Sequence, residues 1–320
     1  MRRNVAWFLL LGTTVPLYFG LKAQNDTSKY SVPSTQASLT RRFSGWYGQL
    51  MRVSLPETLR VPVLSAYAWL TAIDMTESAD PLDAFHSIQD LFVRGMKPGL
   101  RPVAACDLVS PSDSRVLSYG ELRGSKLDSI KGQDYDLVHF FTGKTDIPTQ
   151  EYVESLKKNK ENRLYYLTFY LSPSDHHRYY SPFDWKISYR RHLYGYLLGV
   201  FPLNLWRRKD IYEVNERVVY FGEWKHGFAS FVAVGAYNVG SIEVGMDPEL
   251  RTNKMGFPDH MTLFEQRPFD PVVTVAKGSE FGRFNTGSTI VLVFEAPPGL
   301  HFSVTERGRV KIGEALLSSS

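Results

Sequence analysis

The chain has 320 residues, of which 43% are hydrophobic and 14% aromatic, and its net charge is +4. That makes it a globular protein of one or two domains and excludes general disorder, and its scattered charges form no basic stripe of the kind nucleic-acid binders carry. A single cysteine, Cys106, excludes an intrachain disulfide and reads as a small buried apolar residue rather than a reactive thiol.

Met1-Arg2-Arg3-Asn4 leads into Val5 to Leu21, an uncharged and mostly apolar stretch that ends at Lys22. Its length is near the lower limit for a bilayer-spanning helix, and Gly12, Pro16 and Gly20 are tolerated in that setting. A cleaved secretory signal fits the same pattern, with Ala23 as the small residue. Residues 1–23 are therefore a targeting segment or anchor, and the polar stretch 24–38 reads as a flexible linker.

Residues 39–100 carry a helical pattern and are read as a membrane-proximal region. Leu50, Val53, Leu55 and Leu59 alternate with polar positions, Pro56 predicts a break between two helices, and Pro81 predicts a helix start. Arg41, Arg42, Arg52 and Arg60 beside Trp46, Tyr47 and Leu50 fit either a surface lying on lipid or a helix packed on the core.

From residue 101 to 320 the texture is strand-like. Residues 115–119, 164–170, 218–221 and 228–234 are rich in β-branched and aromatic side chains, whereas Glu151 to Glu161 reads as a short charged helix. Asp247 to Phe269, rich in Pro, Gly and polar residues, reads as a loop. The fold class is α+β, a helical N-terminal region followed by a β-rich catalytic body.

The chemistry concentrates near the C-terminus, where Phe284-Asn285-Thr286-Gly287-Ser288-Thr289 precedes the apolar run Ile290 to Phe294. Gly287 has no side chain to block attack on its carbonyl, and the Ser288 hydroxyl can attack that carbonyl and move the acyl group from nitrogen to oxygen. Elimination of the ester and hydrolysis of the resulting enamine would leave a pyruvoyl group at position 288, a ketone able to form a Schiff base with an amine and act as an electron sink. On its own the tripeptide is weak evidence, since Gly-Ser-Thr is common and a bland loop before a strand is its default reading.

Other motifs stand with it: Ser110-Pro111-Ser112-Asp113, Asp175-His176-His177-Arg178, Trp224-Lys225-His226-Gly227 and Val239-Gly240-Ser241-Ile242. Ser181 to Trp185, Asn215 to Val219 and Thr289 to Pro297 extend the set, so that it runs from about Trp46 to Leu317. Together they resemble the phosphatidylserine decarboxylases, most closely the mitochondrial form. The resemblance implies cleavage between Gly287 and Ser288 into a β subunit, Met1 to Gly287, and an α subunit, Ser288 to Ser320. It also implies a covalent pyruvoyl cofactor made from Ser288, and conversion of phosphatidylserine to phosphatidylethanolamine with release of CO2. A single N-terminal anchor in the mitochondrial inner membrane would leave the catalytic body in the intermembrane space. Implied partners are phosphatidylserine, membrane lipid and the two fragments of the chain; a homodimer is left open, and no nucleic acid is expected. The α fragment should stay attached through Ile290 to Phe294 as a strand of the sheet.

The family cleaves itself with an Asp-His-Ser triad. Asp113 matches the aspartate, although Ser114 stands where a glycine usually follows. Relatives carry His-x-x-His-Ser-Pro; here the run is His177-Arg178-Tyr179-Tyr180-Ser181-Pro182. His177 matches the first histidine, whose family role lies in decarboxylation, whereas Tyr180 occupies the place of the triad base. A tyrosine with an ordinary pKa near ~10 is a poor base. Three explanations stay open: His176 or His177 takes over as base; Tyr180 holds the serine while water or Asp113 accepts the proton; or the chain is a cleavage-deficient, non-catalytic relative that binds lipid or a partner protein. A serine hydrolase using Ser288 directly lacks a nucleophile-elbow pattern. No metal is expected, since adjacent residues such as His176 and His177 point to opposite faces of a strand. The Trp224 to Gly227 stretch reads as a turn joining two strands, with a role for Lys225 or His226 toward substrate anions as the alternative. His86, His139, His192, His260 and His301 read as surface or core residues.

Overall fold

The computed structural model describes residues 42, 45–128, 134–197, 211–236, 241–253, 264–285 and 289–318. The expected anchor, the linker and the Gly287–Ser288 step lie outside those residues. Among the described residues no helix is long and apolar enough to cross a membrane.

The N-terminal region is helical as expected. Helix α1 covers residues 45–51, and α2 (Glu57–Thr71) starts directly after Pro56, where the missing N–H costs nothing because the first helical turn has no acceptor for it. The helix start expected at Pro81 is only a single 3-10 turn, Leu82–Ala84. Phe85 leaves that turn extended and buries its ring in a small core with Leu64, Ala68, Ile73 and Leu91. Helix formation resumes at α3 (Ile88–Phe92), opened by a capping box in which Ser87 Oγ accepts from Asp90 N at 3.1 Å and the Asp90 carboxylate accepts from Ser87 N at 3.0 Å.

The body is built on one antiparallel sheet. Its first strands are β1 (Ser114–Glu121), a small hairpin of β2 (Lys126–Asp128) and β3 (Asp134–Asp136), then β4 (Arg163–Tyr170) after α4 (Leu137–Thr142) and α5 (Thr149–Leu156). There follow β5 (Arg178–Tyr180), β6 (Trp185–Leu193), α6 (Ile211–Val214), β7 (Arg217–Trp224), β8 (Gly227–Val234) and β9 (Ile242–Val244). The chain closes with β10 (Phe264–Val275), β11 (Glu280–Phe284), β12 (Thr289–Ala296) and β13 (Arg309–Val310). Eight of these form the large sheet in the order β10-β6-β7-β8-β12-β4-β1-β13, while β5-β11-β9 form a second, three-stranded sheet.

Strand β10 corrects the loop expected for Asp247 to Phe269. It begins at Phe264 and pairs with β6, with a register shift between Pro268 and Val273. Proline cannot donate to a ladder, but β10 is the outermost strand of the sheet, where an absent N–H is tolerated.

Both faces of the large sheet are covered, so β12 is buried along its whole length. Ile290, Leu292 and Phe294 join a core capped by Tyr179, Phe281 and Phe284 of the small sheet. Val291 and Val293 join the opposite core, capped by Leu137, Phe140 and Phe141 of α4. An alternating strand reads as continuous apolar sequence only because both layers exist. Cys106, expected to be buried, is half-exposed, and its Sγ lies 3.2 Å from Leu108 O. It sits in a loop stretch rather than an element facing a core.

Candidate active site

The backbone on both sides of the Gly287–Ser288 step is held by sheet. Before it, β11 pairs with β5, so that Arg283 faces Arg178, and Phe284 N donates to His177 O at 2.9 Å. Asn285 is fixed through Nδ2, which donates to Ser241 Oγ at 2.7 Å and to Glu243 Oε1 at 2.6 Å. After it, Thr289 stands between Tyr170 of β4 and Val234 of β8. The histidine pair lies on the short connection from β4 to β5, and therefore beside both flanks.

His177 is fully buried, with its ring centroid 3.9 Å from that of Phe92 at the end of α3. Its Nδ1 is 2.9 Å from Asp175 O, and since a carbonyl only accepts, Nδ1 carries the proton and Nε2 presents a bare lone pair. Among the described residues that Nε2 has no hydrogen-bond partner. Burial drives the His177 pKa far below the ordinary histidine range, against the opposing effect of the Asp175 bond.

His176 is buried too, at 1% exposure, and among the described residues neither of its ring nitrogens has a partner. Burial first, and the Arg94 charge second, push its pKa down to about 3. Its ring stacks on Tyr180 at 6.3 Å between centroids and 25° between planes. His176 and Tyr180 thus share one side of the connection, while His177 turns the other way against Phe92. Burial, followed by the Glu280 charge, raises the Tyr180 phenol above its ordinary value, which makes it a donor rather than a base.

Asp113 lies against this group, since Tyr180 N donates to Pro111 O at 2.8 Å. Its carboxylate is engaged elsewhere, accepting from Arg101 Nε at 3.0 Å, Arg101 Nη2 at 2.7 Å and Ile312 N at 2.9 Å, with Lys311 Nζ at 3.4 Å. Burial alone would raise its pKa, but the Arg101 and Ile312 hydrogen bonds and the Lys311 charge bring it below the carboxylate range. Among the described residues no hydrogen bond joins Asp113 to His176, His177 or Tyr180; its negative charge does reach His176 and Tyr180 through space.

The Trp224-Lys225-His226-Gly227 stretch is the β7–β8 turn and stands apart, about 20 Å along β12 from Thr289 at ~3.3 Å per residue. Gly227 has φ +120°, and a Cβ there would lie 2.3 Å from Glu295 Oε2. Lys225 pairs with Asp107 on the surface, and His226 has its pKa lowered by partial burial and then by Lys225. His192 is a core residue, with Nε2 2.8 Å from Glu216 Oε1. Among the described residues no group of three or more His, Cys, Asp or Glu could hold a metal ion.

Sequence reasoning passed over Arg94, Arg101 and Phe92. Arg94 is 5% exposed and carries positive charge into the same region. The apolar run Leu91-Phe92-Val93 directly before it was a signal that the arginine is drawn inside with them.

The sequence profile of the phosphatidylserine decarboxylase family matches residues 88–318. The chain is 38% identical over 294 residues to the mitochondrial phosphatidylserine decarboxylase proenzyme of Pongo abelii, covering 87% of this chain and 71% of that protein. The Rattus norvegicus mitochondrial proenzyme is 37% identical over 303 residues, covering 90% and 75%. Mitochondrial proenzyme 1 of Arabidopsis thaliana is 35% identical over 325 residues, covering 86% and 71%. With the family profile spanning residues 88–318 and curated relatives up to 38% identical over most of the chain, this protein belongs to the phosphatidylserine decarboxylase family.

Proposed function

We propose that the chain is a phosphatidylserine decarboxylase that matures by cutting itself between Gly287 and Ser288, with His176 as the base that takes the Ser288 hydroxyl proton. The observation that carries this reading is His176 itself: buried, neutral, with both ring nitrogens unpartnered among the described residues, and stacked on the Tyr180 that replaces the family's base. A neutral imidazole with an open lone pair can accept a proton, which the Tyr180 phenol cannot do at neutral pH. Asp113 supports the imidazolium that forms through its charge, since its hydrogen-bonding capacity is committed to Arg101 and Ile312.

His177 serves the second reaction. Its Nδ1 is occupied by Asp175 O, so its working atom is the bare Nε2, which first takes up the proton that the serine ammonium of the substrate must lose and then returns it to the substrate α-carbon once CO2 has left. The pyruvoyl ketone derived from Ser288 would supply the covalent hold on the substrate amine and the sink for the released electron pair. The residues present fit such a group, because His177 and its neighbour His176 keep ring nitrogens with no partner among the described residues, and the His177 main chain is bonded to Phe284 just before position 288. Phe92 keeps water from the His177 ring.

The setting is the mitochondrial inner membrane, with the body in the intermembrane space. The relatives' mitochondrial names and the apolar stretch Val5 to Leu21 support it. So do the exposed Trp46 and Trp69, at 61% and 78%, on the membrane-proximal helices. The test is the purified full chain on a denaturing gel. Two bands, the smaller resistant to Edman degradation, together with phosphatidylethanolamine formed from phosphatidylserine, are expected. A persistent full-length band would favour the non-catalytic, lipid-binding relative, and cleavage that appears only in Tyr180→His would name the tyrosine as the lesion.

A further inference from the structure

Arg94 is a buried charge that neither self-cleavage nor proton delivery uses. Its Nη2 makes one long bond, 3.3 Å to Ser174 O, and its Nη1 has no partner among the described residues. Among the described residues its guanidinium forms no ion pair, because the nearby carboxylates are taken: Asp113 by Arg101 and Lys311, and Asp175 by Arg309. Other buried arginines have ion pairs or carbonyl acceptors: Arg190 pairs with Asp247 at 2.6 Å, although its Nη1 also has no hydrogen-bond partner among the described residues, and Arg217 donates to the carbonyls of Phe140, Glu213, Asn215 and His139.

A buried guanidinium with no ion pair of its own is costly even with the charges of Glu77, Asp113 and Asp175 acting on it through space, and its fork matches an anion with two oxygens side by side. Arg94 lies where a ligand would come, between Phe92, which packs on His177, and Ser174, two residues before His176. The histidines nearby are neutral and offer an anion no counter-charge. A phosphatidylserine headgroup brings two anions, a carboxylate and a phosphodiester. An arginine on the carboxylate would stabilise the charge that must leave as CO2, and so bind the ground state better than the transition state. On the phosphodiester it meets a charge that is constant through the reaction.

We propose that Arg94 binds the phosphodiester of the lipid headgroup through the open Nη1 edge of its guanidinium, an assignment that rests on the decarboxylase reading above. The test uses full-length Ser288→Ala, which can neither cut itself nor form the ketone, and measures binding by calorimetry. Probes are glycerophosphoserine, glycerophosphoethanolamine (which lacks the carboxylate) and inorganic phosphate. Both glycerophosphodiesters are expected to bind, each at least ~10-fold more weakly in Arg94→Gln, with Arg94→Lys in between. A loss confined to glycerophosphoserine would put Arg94 on the carboxylate and overturn the proposal. So would inorganic phosphate binding as tightly as the diesters, binding unmoved by Arg94→Gln, or no binding by the parent. A thermal melt of each variant separates lost binding from lost fold, with Arg94→Lys, which keeps the charge, as the folded control. Cleavage and decarboxylation by the wild-type chain report separately on the underlying reading.

Discussion

The two ends of strand β12 treat buried polar atoms in opposite ways. At the far end, the Glu295 carboxylate accepts from Lys158 N, Asn159 N, Phe228 N and Asn162 Nδ2 at 2.8–2.9 Å, and its carbonyl accepts from Trp224 Nε1 at 2.7 Å. At the near end, where β4 runs out toward the histidines, His176, His177 and Arg94 keep buried nitrogens with no partner among the described residues. Proteins seldom leave such atoms unpaired, because each carries a desolvation cost. Complete pairing marks the Glu295 end as architecture, and the open atoms mark the other as a place for chemistry.

The sharpest way to break this contrast is to remove one histidine at a time. His176→Ala is expected to slow self-cleavage by about 10²–10⁴-fold, the usual contribution of a general base, as read from the time course of the full-length band. His177→Ala should still mature but lose decarboxylation by a similar factor. Equal cleavage in both variants would remove His176 from the base role.

At the paired end the loss should be one of stability. Glu295→Ala leaves four N–H donors without their acceptor, two of them buried and two partly buried, and is expected to cost about 3 kcal/mol in denaturant unfolding, with the cut at Gly287–Ser288 unaffected in folded protein. A cleavage defect as severe as that of His176→Ala would show that the two ends are not separable.

The smallest effect is in acid. His176 and His177 have folded pKa values below the ordinary ~6.5, so between that value and the folded one the unfolded chain binds more protons. Their contribution is therefore present above pH ~6.5 and lost as pH falls, at up to about 1.4 kcal/mol per pH unit for each histidine. His176→Gln should flatten that slope between pH 6.5 and 5 in urea unfolding. The depressed Asp113 carboxyl adds a further loss only at lower pH, as it is protonated.

Much of the fold was legible. β4, β7, β8 and β12 stand out in the sequence because aromatic and β-branched residues fill them from end to end. β10 was hidden by Pro268 and Pro271, whose placement at a sheet edge is a tertiary fact. In the site, the types and order of Asp113, His176, His177 and Tyr180 were readable. Which histidine shares a side with Tyr180 was not, because it depends on how the connection from β4 enters β5. Nor could sequence reveal that Asp113 is held by Ile312 and Lys311, 199 and 198 positions away. The turn at Trp224 to Gly227 was correctly read as a joint between strands, and Glu295 supplies the reason.

The stretch after Thr289 supplies β12 in the middle of the large sheet and β13 at its outer edge, and Arg309 within it pairs with Asp175. An intact chain assembles that sheet as a unimolecular event. Once severed at 287/288, the same sheet would be made by two molecules, and denaturation would let them diffuse apart. Recovery of the cut protein from denaturant would then depend on concentration, while the uncut precursor would refold independently of it. Self-cleavage would thus set a direction in time: the polypeptide must finish folding before it is cut.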